Sequence, residues 1–435
     1  MTLKNIALAV SLILFVPTFV FAEVPKELDA YLALPDDSFR WEIVENSVTS
    51  NDPTILMELT SQTWQGIPWK HFVLVALPNK VTCPNHALLF IGGSSIGRKP
   101  RDTDVILIRT LAESSGMCVA LLLQVPNQPL FGNFTEDALI GETLIKTLET
   151  KDTTWPLLFP MAKSALKAMD AVQEMLRNEK QFEINSFVIT GASKRGWTTW
   201  LTAASGDKRV VAIAPMVIDN LNTREQMKYQ IETWGEFSQQ IGDYTSRNLV
   251  RNDSVPLTEF EESIGTMIDP YSYRSRLTMP KLLIHGTNDP YWTVDAAKFY
   301  FDDLPGVKYI LTLPNAGHGL DSQQLKAAQT TAAFARAAAK GINFPTMKWK
   351  LTERPSDYQV DVEAGFPITA VKLWSAQSDT KDFRRARWTS TALERKGVLS
   401  VSVPRATTGH IAFFVEFESI YDGLPYSLTT QVWRF

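Results

Sequence analysis

The stretch that decides the fold is Ser186-Phe187-Val188-Ile189-Thr190-Gly191-Ala192-Ser193-Lys194-Arg195-Gly196-Trp197-Thr198-Thr199-Trp200. Ser186–Thr190 is a short run suited to a buried strand, and Gly196–Ala204 carries a helical pattern. Between them a sharp turn centres on Ser193. Strand, tight turn with a central Ser, then helix is the setting of a nucleophile elbow. Gly191 permits the turn because it lacks a Cβ. The turn would hold Ser193 Oγ clear of the backbone, with the Lys194 N–H at a helix start, aimed at any oxyanion forming beside it. The usual motif has a second Gly two residues after the Ser. Here Arg195 takes that place and Gly196 follows.

Two further segments extend the pattern. Leu282-Leu283-Ile284-His285-Gly286-Thr287-Asn288-Asp289-Pro290 is a strand ending in a loop that bears Asp289. Lys308–Leu313 leads into Pro314-Asn315-Ala316-Gly317-His318-Gly319, and His318 is one of only five histidines. Ser, then Asp, then His, each just after its own strand, is the chain order of α/β-hydrolases. The expected roles are Ser193 as nucleophile, His318 as its base and then acid, and Asp289 as the group that orients His318. Taken singly, Asp289 and His318 read equally well as ordinary loop residues; the joint order gives them weight. A second oxyanion donor is expected from Ile91-Gly92-Gly93-Ser94-Ser95, through the backbone of Gly93 or Ser94. A phosphate-loop reading of Gly92–Arg98 fails, because Arg98-Lys99-Pro100 stands where Lys-Ser/Thr is needed. No metal or cofactor motif occurs, so none is expected.

From about 53 to 340 strand-like and helix-like segments alternate. The expectation is an α/β fold, a mostly parallel sheet with helices on both faces. Thr54–Gln62 and His71–Leu77 alternate more strongly and read as an antiparallel pair that opens the sheet. Two connections are too long for simple crossovers, 124–155 and 219–279. The second is rich in aromatics and is expected to cap the site, with Tyr229, Trp234, Tyr244 and Tyr271 as pocket-lining candidates beside Tyr291 and Trp292. After about 343 the pattern changes to short alternating runs separated by turns such as Asp422-Gly423. Residues 344–435 read as a small immunoglobulin-like β-sandwich, leaving 23–343 as the hydrolase-like domain.

The 435 residues are 45% hydrophobic and 21% charged, ordinary globular values that exclude a disordered or fibrous chain. With 43 basic against 47 acidic residues, nothing points to nucleic acid. Residues 1–22 differ from the rest: Lys4 is their sole charge, and Val20 and Ala22 precede Glu23 as small residues do before a signal-peptidase cut. A cleaved leader is expected, with an uncleaved anchor as the alternative. No later stretch is long and apolar enough to span a membrane. The destination would be periplasmic or secreted, where disulfides persist. The two cysteines, Cys83 and Cys118, each precede a predicted strand. A bridge between them is expected from the compartment; two buried thiols are the plainer alternative.

Other segments match a known family. They are Thr154-Trp155-Pro156-Leu157-Leu158-Phe159-Pro160-Met161, Ala168-Met169-Asp170-Ala171-Val172-Gln173, Thr190–Trp200, Asp219-Asn220-Leu221-Asn222, Phe299-Tyr300-Phe301-Asp302-Asp303-Leu304-Pro305-Gly306 and Pro314–His318. The mature chain resembles the PhoPQ-activated pathogenicity-related protein family, exported α/β-hydrolase-like proteins linked to bacterial virulence. The resemblance implies Ser and His at these motifs as catalytic residues. It also makes Arg195 after the Ser the family's own pattern. Pro290 departs from the acidic residue that the family tends to carry after the Asp.

The expected activity is hydrolysis of a small peptide or ester through an acyl-enzyme. Glu225, Glu232 and Glu236 could receive a peptide's amino end, or form a solvated helix face. A carbohydrate-type or other carboxylesterase is the alternative, with Lys194 or Arg195 steadying an oxyanion or carboxylate. From another class, a binding or signalling protein could keep the fold without turnover. The 344–435 unit would then do the binding, with a protein partner that the sequence leaves unknown.

Overall fold

The structure, a computed structural model, describes residues 23–44, 54–252 and 254–435. The leader-like residues 1–22 lie outside these. Among the described residues no helix is long and apolar enough to cross a membrane.

A single 14-stranded sheet runs through the molecule. Its first part contains β1 (Arg40–Ile43), β2 (Thr54–Trp64), β3 (Ile67–Ala76), β4 (Asn85–Ile91), β5 (Cys118–Leu122), β6 (Ile184–Ala192), β7 (Val210–Met216), β8 (Lys281–Gly286) and β9 (Lys308–Leu313). The spatial order is β1-β2-β3-β5-β4-β6-β7-β8-β9. β2 and β3 form the expected antiparallel hairpin. Gln65 and Gly66 turn it with φ of 50° and 74°, the pair of positive values that matches strand twist in a two-residue loop. From β5 to β9 neighbouring strands are parallel. Strands such as Cys118–Leu122 are buried at every position, which is why they read as unbroken apolar runs. This is an α/β-hydrolase fold.

Helices cover both faces. Leu158–Lys180 and Lys194–Ala204 pack on one, Asp102–Ser115 and Gln324–Ala339 on the other. The pleat sends alternate residues to opposite sides. Ala87, Leu89, Cys118 and Ala120 join the first core, whereas Leu88, Val119, Leu121 and Cys83 join the second. This corrects the expected disulfide. Cys83 and Cys118 are free, buried thiols that pack into cores on opposite faces of the sheet.

Residues 219–279 fold as the helices Thr223–Trp234 and Glu259–Ile268 with shorter turns between and after them. The second helix begins with a reciprocal cap: Thr258 Oγ1 accepts from the Glu261 N–H, and Glu261 Oε2 accepts from the Thr258 N–H at 2.7 Å.

The C-terminal residues form β10 (Met347–Glu353), β11 (Asp357–Ala364), β12 (Ala370–Ser378), β13 (Thr389–Ala392), β14 (Val398–Pro404), β15 (His410–Tyr421), β16 (Leu424–Thr429) and β17 (Trp433–Arg434). β10-β11-β14 make a separate three-stranded sheet. It packs on β12 and β15 around Val360, Val362, Val403, Phe413, Val415 and Phe417. Residues 344–435 thus make two facing layers as in the expected sandwich, but the second layer is not a separate sheet. β16 pairs with β9 at Thr429 and Ile310, and continues the hydrolase sheet through β15, β12 and β13. β9 would otherwise be an open edge. Lys326, on the helix Gln324–Ala339, reinforces the join by reaching the fully buried Glu416 at 2.6 Å.

Candidate active site

β6 ends at Ala192 and the helix Lys194–Ala204 begins two residues later, so Ser193 alone makes the turn. Its backbone adopts φ 58° and ψ −125°, a conformation rarely held by a non-glycine residue. The neighbouring glycines explain how the turn is tolerated. A Cβ on Gly191 would lie 2.6 Å from the Arg195 carbonyl oxygen, and one on Gly196 would lie 2.5 Å from Ile218 Cγ2. The helix thus packs against β6 and the segment after β7 through Gly196, one position later than in the usual motif.

The turn lifts Ser193 Oγ to 2.8 Å from His318 Nε2. On the other side of the ring, His318 Nδ1 lies 2.7 Å from Asp289 Oδ2. The Tyr291 N–H donates to Asp289 Oδ1 at 2.9 Å, which fixes the carboxylate in its loop. With Nδ1–H donated to the carboxylate, Nε2 is left as the acceptor for the Ser193 hydroxyl. A second carboxylate that follows a sheet strand, Asp219 after β7, does not meet His318. It is 3.7 Å from His285 Nδ1, and burial raises its carboxyl above the usual range.

A cleft of about 470 Å³ opens beside Ser193, walled by Gly93, Ser94, Arg98, Gln128, Glu136 and Arg195. Lys194 N is the first backbone N–H of its helix, and Gly93 and Ser94, from the loop after β4, line the same cleft as Ser193. Backbone N–H groups of two such segments can together receive an oxyanion. Arg195 braces the arrangement. Its Nε donates to the Val125 carbonyl at 2.6 Å, and its two terminal nitrogens donate to Glu136 Oε2 and Oε1 at 2.7 and 2.6 Å. Burial pushes the Glu136 carboxyl up, but the hydrogen bonds and charge of Arg195 outweigh it and hold the group below the usual carboxylate range. Lys194 Nζ is likewise paired, at 2.6 Å from Asp137 Oδ2. Both cations next to Ser193 are thus held in ion pairs. Arg98 has no ion pair among the described residues. No group of three or more His, Cys, Asp or Glu side chains among those residues could hold a metal ion.

Residues 28–384 match the family described as PhoPQ-activated pathogenicity-related protein. The chain belongs to this family. Autocrine proliferation repressor protein A of Dictyostelium discoideum is 31% identical over 450 residues, a match that covers 94% of this chain and 89% of that protein. Among solved structures, acetyl xylan esterase 1 from Thermoanaerobacterium sp. is similar at 14% identity and TM-score 0.49, covering 72% of this chain and 94% of the esterase. A puromycin-hydrolyzing peptidase of Mycobacterium tuberculosis is similar at 15% identity and TM-score 0.44, covering 69% and 41% of the two chains.

In this family member the aromatics of 219–279 do not wall the cleft. Tyr229 donates to Asp295 Oδ2 at 2.6 Å and lies under Lys298. Trp234 stacks beneath the Arg384 guanidinium, 4.0 Å from its centre. Tyr271 bonds to Asp303. Tyr244 comes nearest: its hydroxyl donates to Asp137 Oδ1 at 2.9 Å, and the Tyr291 hydroxyl reaches the other oxygen at 3.2 Å. The Tyr291 ring rests on His318 with centroids 4.3 Å apart, and Trp292 packs behind it against the core. Tyr229, Trp234, Tyr244 and Tyr271 are each occupied by a polar or charged neighbour, so the insertion supports the site without walling the cleft.

Glu136 and Asp137 were not among the candidates from the sequence, nor was Gln128. All three belong to the connection 124–155, whose length alone marked it. In the structure this acidic pair opens a helix, Glu136–Thr150. The signal in the sequence was two adjacent carboxylates in a long connection and two consecutive cations, Lys194 and Arg195, that need partners.

Proposed function

We propose that this chain is a serine hydrolase that cleaves an ester or peptide bond through an acyl-enzyme on Ser193. The observation that carries the reading is the unbroken relay Ser193 Oγ, His318, Asp289, with contacts of 2.8 and 2.7 Å, at a strained strand-to-helix turn. As Oγ bonds to the substrate carbonyl carbon, its proton passes to His318 Nε2 and the carbonyl electron pair moves onto oxygen. The N–H of Lys194 and a donor from Gly93 or Ser94 receive that oxyanion. Collapse expels the alcohol or amine, which takes the proton from Nε2. Water then repeats the sequence and frees the acid. Asp289 stays ionised and steadies the imidazolium.

Glu225 pairs with Lys228, and Glu232 lies near Lys381, both on exposed surface. They form a solvated face and do not support a peptide amino-end pocket. The charge left in the cleft is Arg98, which favours acyl groups carrying an anion. The leader-like residues 1–22 support action in the periplasm or medium, and membership in the family supports a link to virulence.

A fluorophosphonate probe followed by peptide mapping tests the nucleophile, and aminoacyl and acyl reporter substrates then separate peptidase from esterase. Labelling confined to Ser193 and abolished in Ser193→Ala is expected. A folded protein that resists the probe, or carries it on another serine, overturns the reading.

A further inference from the structure

We propose that the C-terminal β unit helps to hold the active site: the backbone of Arg384, Ala386 and Trp388 clamps the loops that carry Asp289 and His318, with Asn288 and Asn315 as the positioning residues. The inference rests on Ser193, His318 and Asp289 acting as proposed above, and adds how their spacing is held.

Asp289 and His318 stand on loops that leave the ends of β8 and β9. The two loops are first joined to each other. Thr287 Oγ1 donates to Asn288 Oδ1 at 2.7 Å and accepts from the Asn315 N–H at 2.9 Å. The Asn288 N–H donates to the Ala316 carbonyl at 2.9 Å. Gly286 admits this contact, since a Cβ there would lie 2.3 Å from the same carbonyl oxygen.

Both loops are then gripped from the C-terminal unit. Asn288 Nδ2 donates to the carbonyls of Arg384 and Ala386, at 3.1 and 2.8 Å. Asn315 makes a two-way pair with Trp388: Nδ2 donates to its carbonyl at 2.9 Å and Oδ1 accepts from its N–H at 2.8 Å. Asn288 thus lies next to the acid, and Asn315 lies three residues before the base. The gripping segment is itself rigid. Phe383 and Trp388 are buried with Ala376, Ala412 and Phe414, and Val294 of the acid loop packs on that cluster. Arg384 is tied to Asp382 by contacts of 3.0 and 2.7 Å.

The clamp uses side chains of the catalytic loops but only backbone atoms of the C-terminal segment. It therefore separates by mutation. Changing Asn288 or Asn315 removes it, whereas changing exposed side chains on the segment leaves it in place. Because Asn315 and Asn288 touch no reacting atom, their loss should act on the geometry of the relay. A misplacement near 1 Å can cost about 100-fold in rate.

The experiment compares Asn315→Ala and Asn288→Ala with the exposed control Arg387→Ala in the full chain. The readouts are fluorophosphonate labelling rate at Ser193, kcat and KM on one reporter ester, and melting temperature. The expected result is a fall of about 10- to 100-fold in kcat and in labelling rate for the Asn variants, with KM within about twofold and Arg387→Ala unchanged. Asn315→Asp retains the acceptor toward the Trp388 N–H but turns an anionic oxygen toward the Trp388 carbonyl, which repels it. It should lower kcat and labelling rate at least about tenfold, and it keeps the comparison open if the alanine variant does not fold. Asn variants that are less stable yet keep wild-type kcat and labelling rate would show a purely structural join and overturn the clamp. A wild-type protein that is not labelled at Ser193 removes the hydrolase reading itself, and the clamp with it.

Discussion

The guanidinium of Arg195 lies flat against the α-carbon of Gly93: a Cβ on Gly93 would come within 1.8 Å of an Arg195 terminal nitrogen. The residue two positions after Ser193, the proposed nucleophile, is thus in contact with the loop expected to supply the second oxyanion donor. Its other bonds, to Val125 and Glu136, leave it no room to retreat.

Gly93→Ala should therefore evict the Arg195 side chain from Val125 and Glu136. Steady-state kinetics should show a kcat loss of about 10- to 100-fold, in the range for an impaired oxyanion donor. Arg195→Lys should behave similarly, because an ammonium cannot make the forked contact with Glu136 and reach Val125 together. Wild-type kcat in both would mean that the loop holds its position unaided.

Arg98 lines the cleft and has no ion pair among the described residues. Arg98→Ala should lower kcat/KM for an ester with a carboxylate on its acyl chain, such as p-nitrophenyl hemisuccinate, by about tenfold. Hydrolysis of neutral p-nitrophenyl acetate should stay within about twofold. The selective effect should weaken in high salt, because Arg98 is exposed. Equal losses on both esters would count against a charge contact.

Lys281 opens β8, the strand that leads to Asp289, and is fully buried. Burial, with the nearby charge of Lys308, pushes its ammonium down to about 7. An unfolded lysine titrates near 10.4, so between these values the unfolded chain binds more protons. The penalty is absent above about pH 10.4, grows as pH falls, and is complete below about 7. Lys281→Met should thus stabilise the protein by about 1–3 kcal/mol at pH 6, offset in part by the lost bond to the Pro305 carbonyl, and by little at pH 10. Thermal melts across that range check the sign.

Cys83 and Cys118 should both be free. Burial pushes the Cys118 thiol up to about 12, which leaves little thiolate to react. In non-reducing mass spectrometry both cysteines should take up an alkylating agent after unfolding, and Cys118 should resist it in the folded state. A peptide cross-linked through the two cysteines would contradict the structure.

Motifs whose meaning is local were legible from the sequence. Gly191, Ser193 and Gly196 announce a turn because strand, glycines and helix are contiguous. Asp289 and His318 could be found because each follows a recognisable strand. What depended on distant contacts was hidden. The compartment that favoured a Cys83–Cys118 bridge says nothing of which face of the sheet each sulfur joins, and they join opposite ones. Tyr229, Trp234 and Tyr271 were aromatics in a long insertion, but their partners Asp295, Arg384 and Asp303 are remote in sequence, and those partners decide where the rings lie. Glu136 became visible only through Arg195, 59 positions later.

The pairing of Thr429 with Ile310 has a consequence for how the molecule comes apart. The Thr312 N–H also donates to Thr429 Oγ1 at 3.0 Å, so two points on β9 are stitched to the C-terminal strands. A sheet shared in this way cannot lose its far strands without stripping the edge of β9, the strand from which the His318 loop departs. Heating should therefore melt the hydrolase and C-terminal regions together, in one calorimetric transition whose van't Hoff and calorimetric enthalpies agree. An evolving lineage would then have no easy way to shed the C-terminal strands while keeping the rest: their deletion would leave a frayed edge prone to pair with other chains.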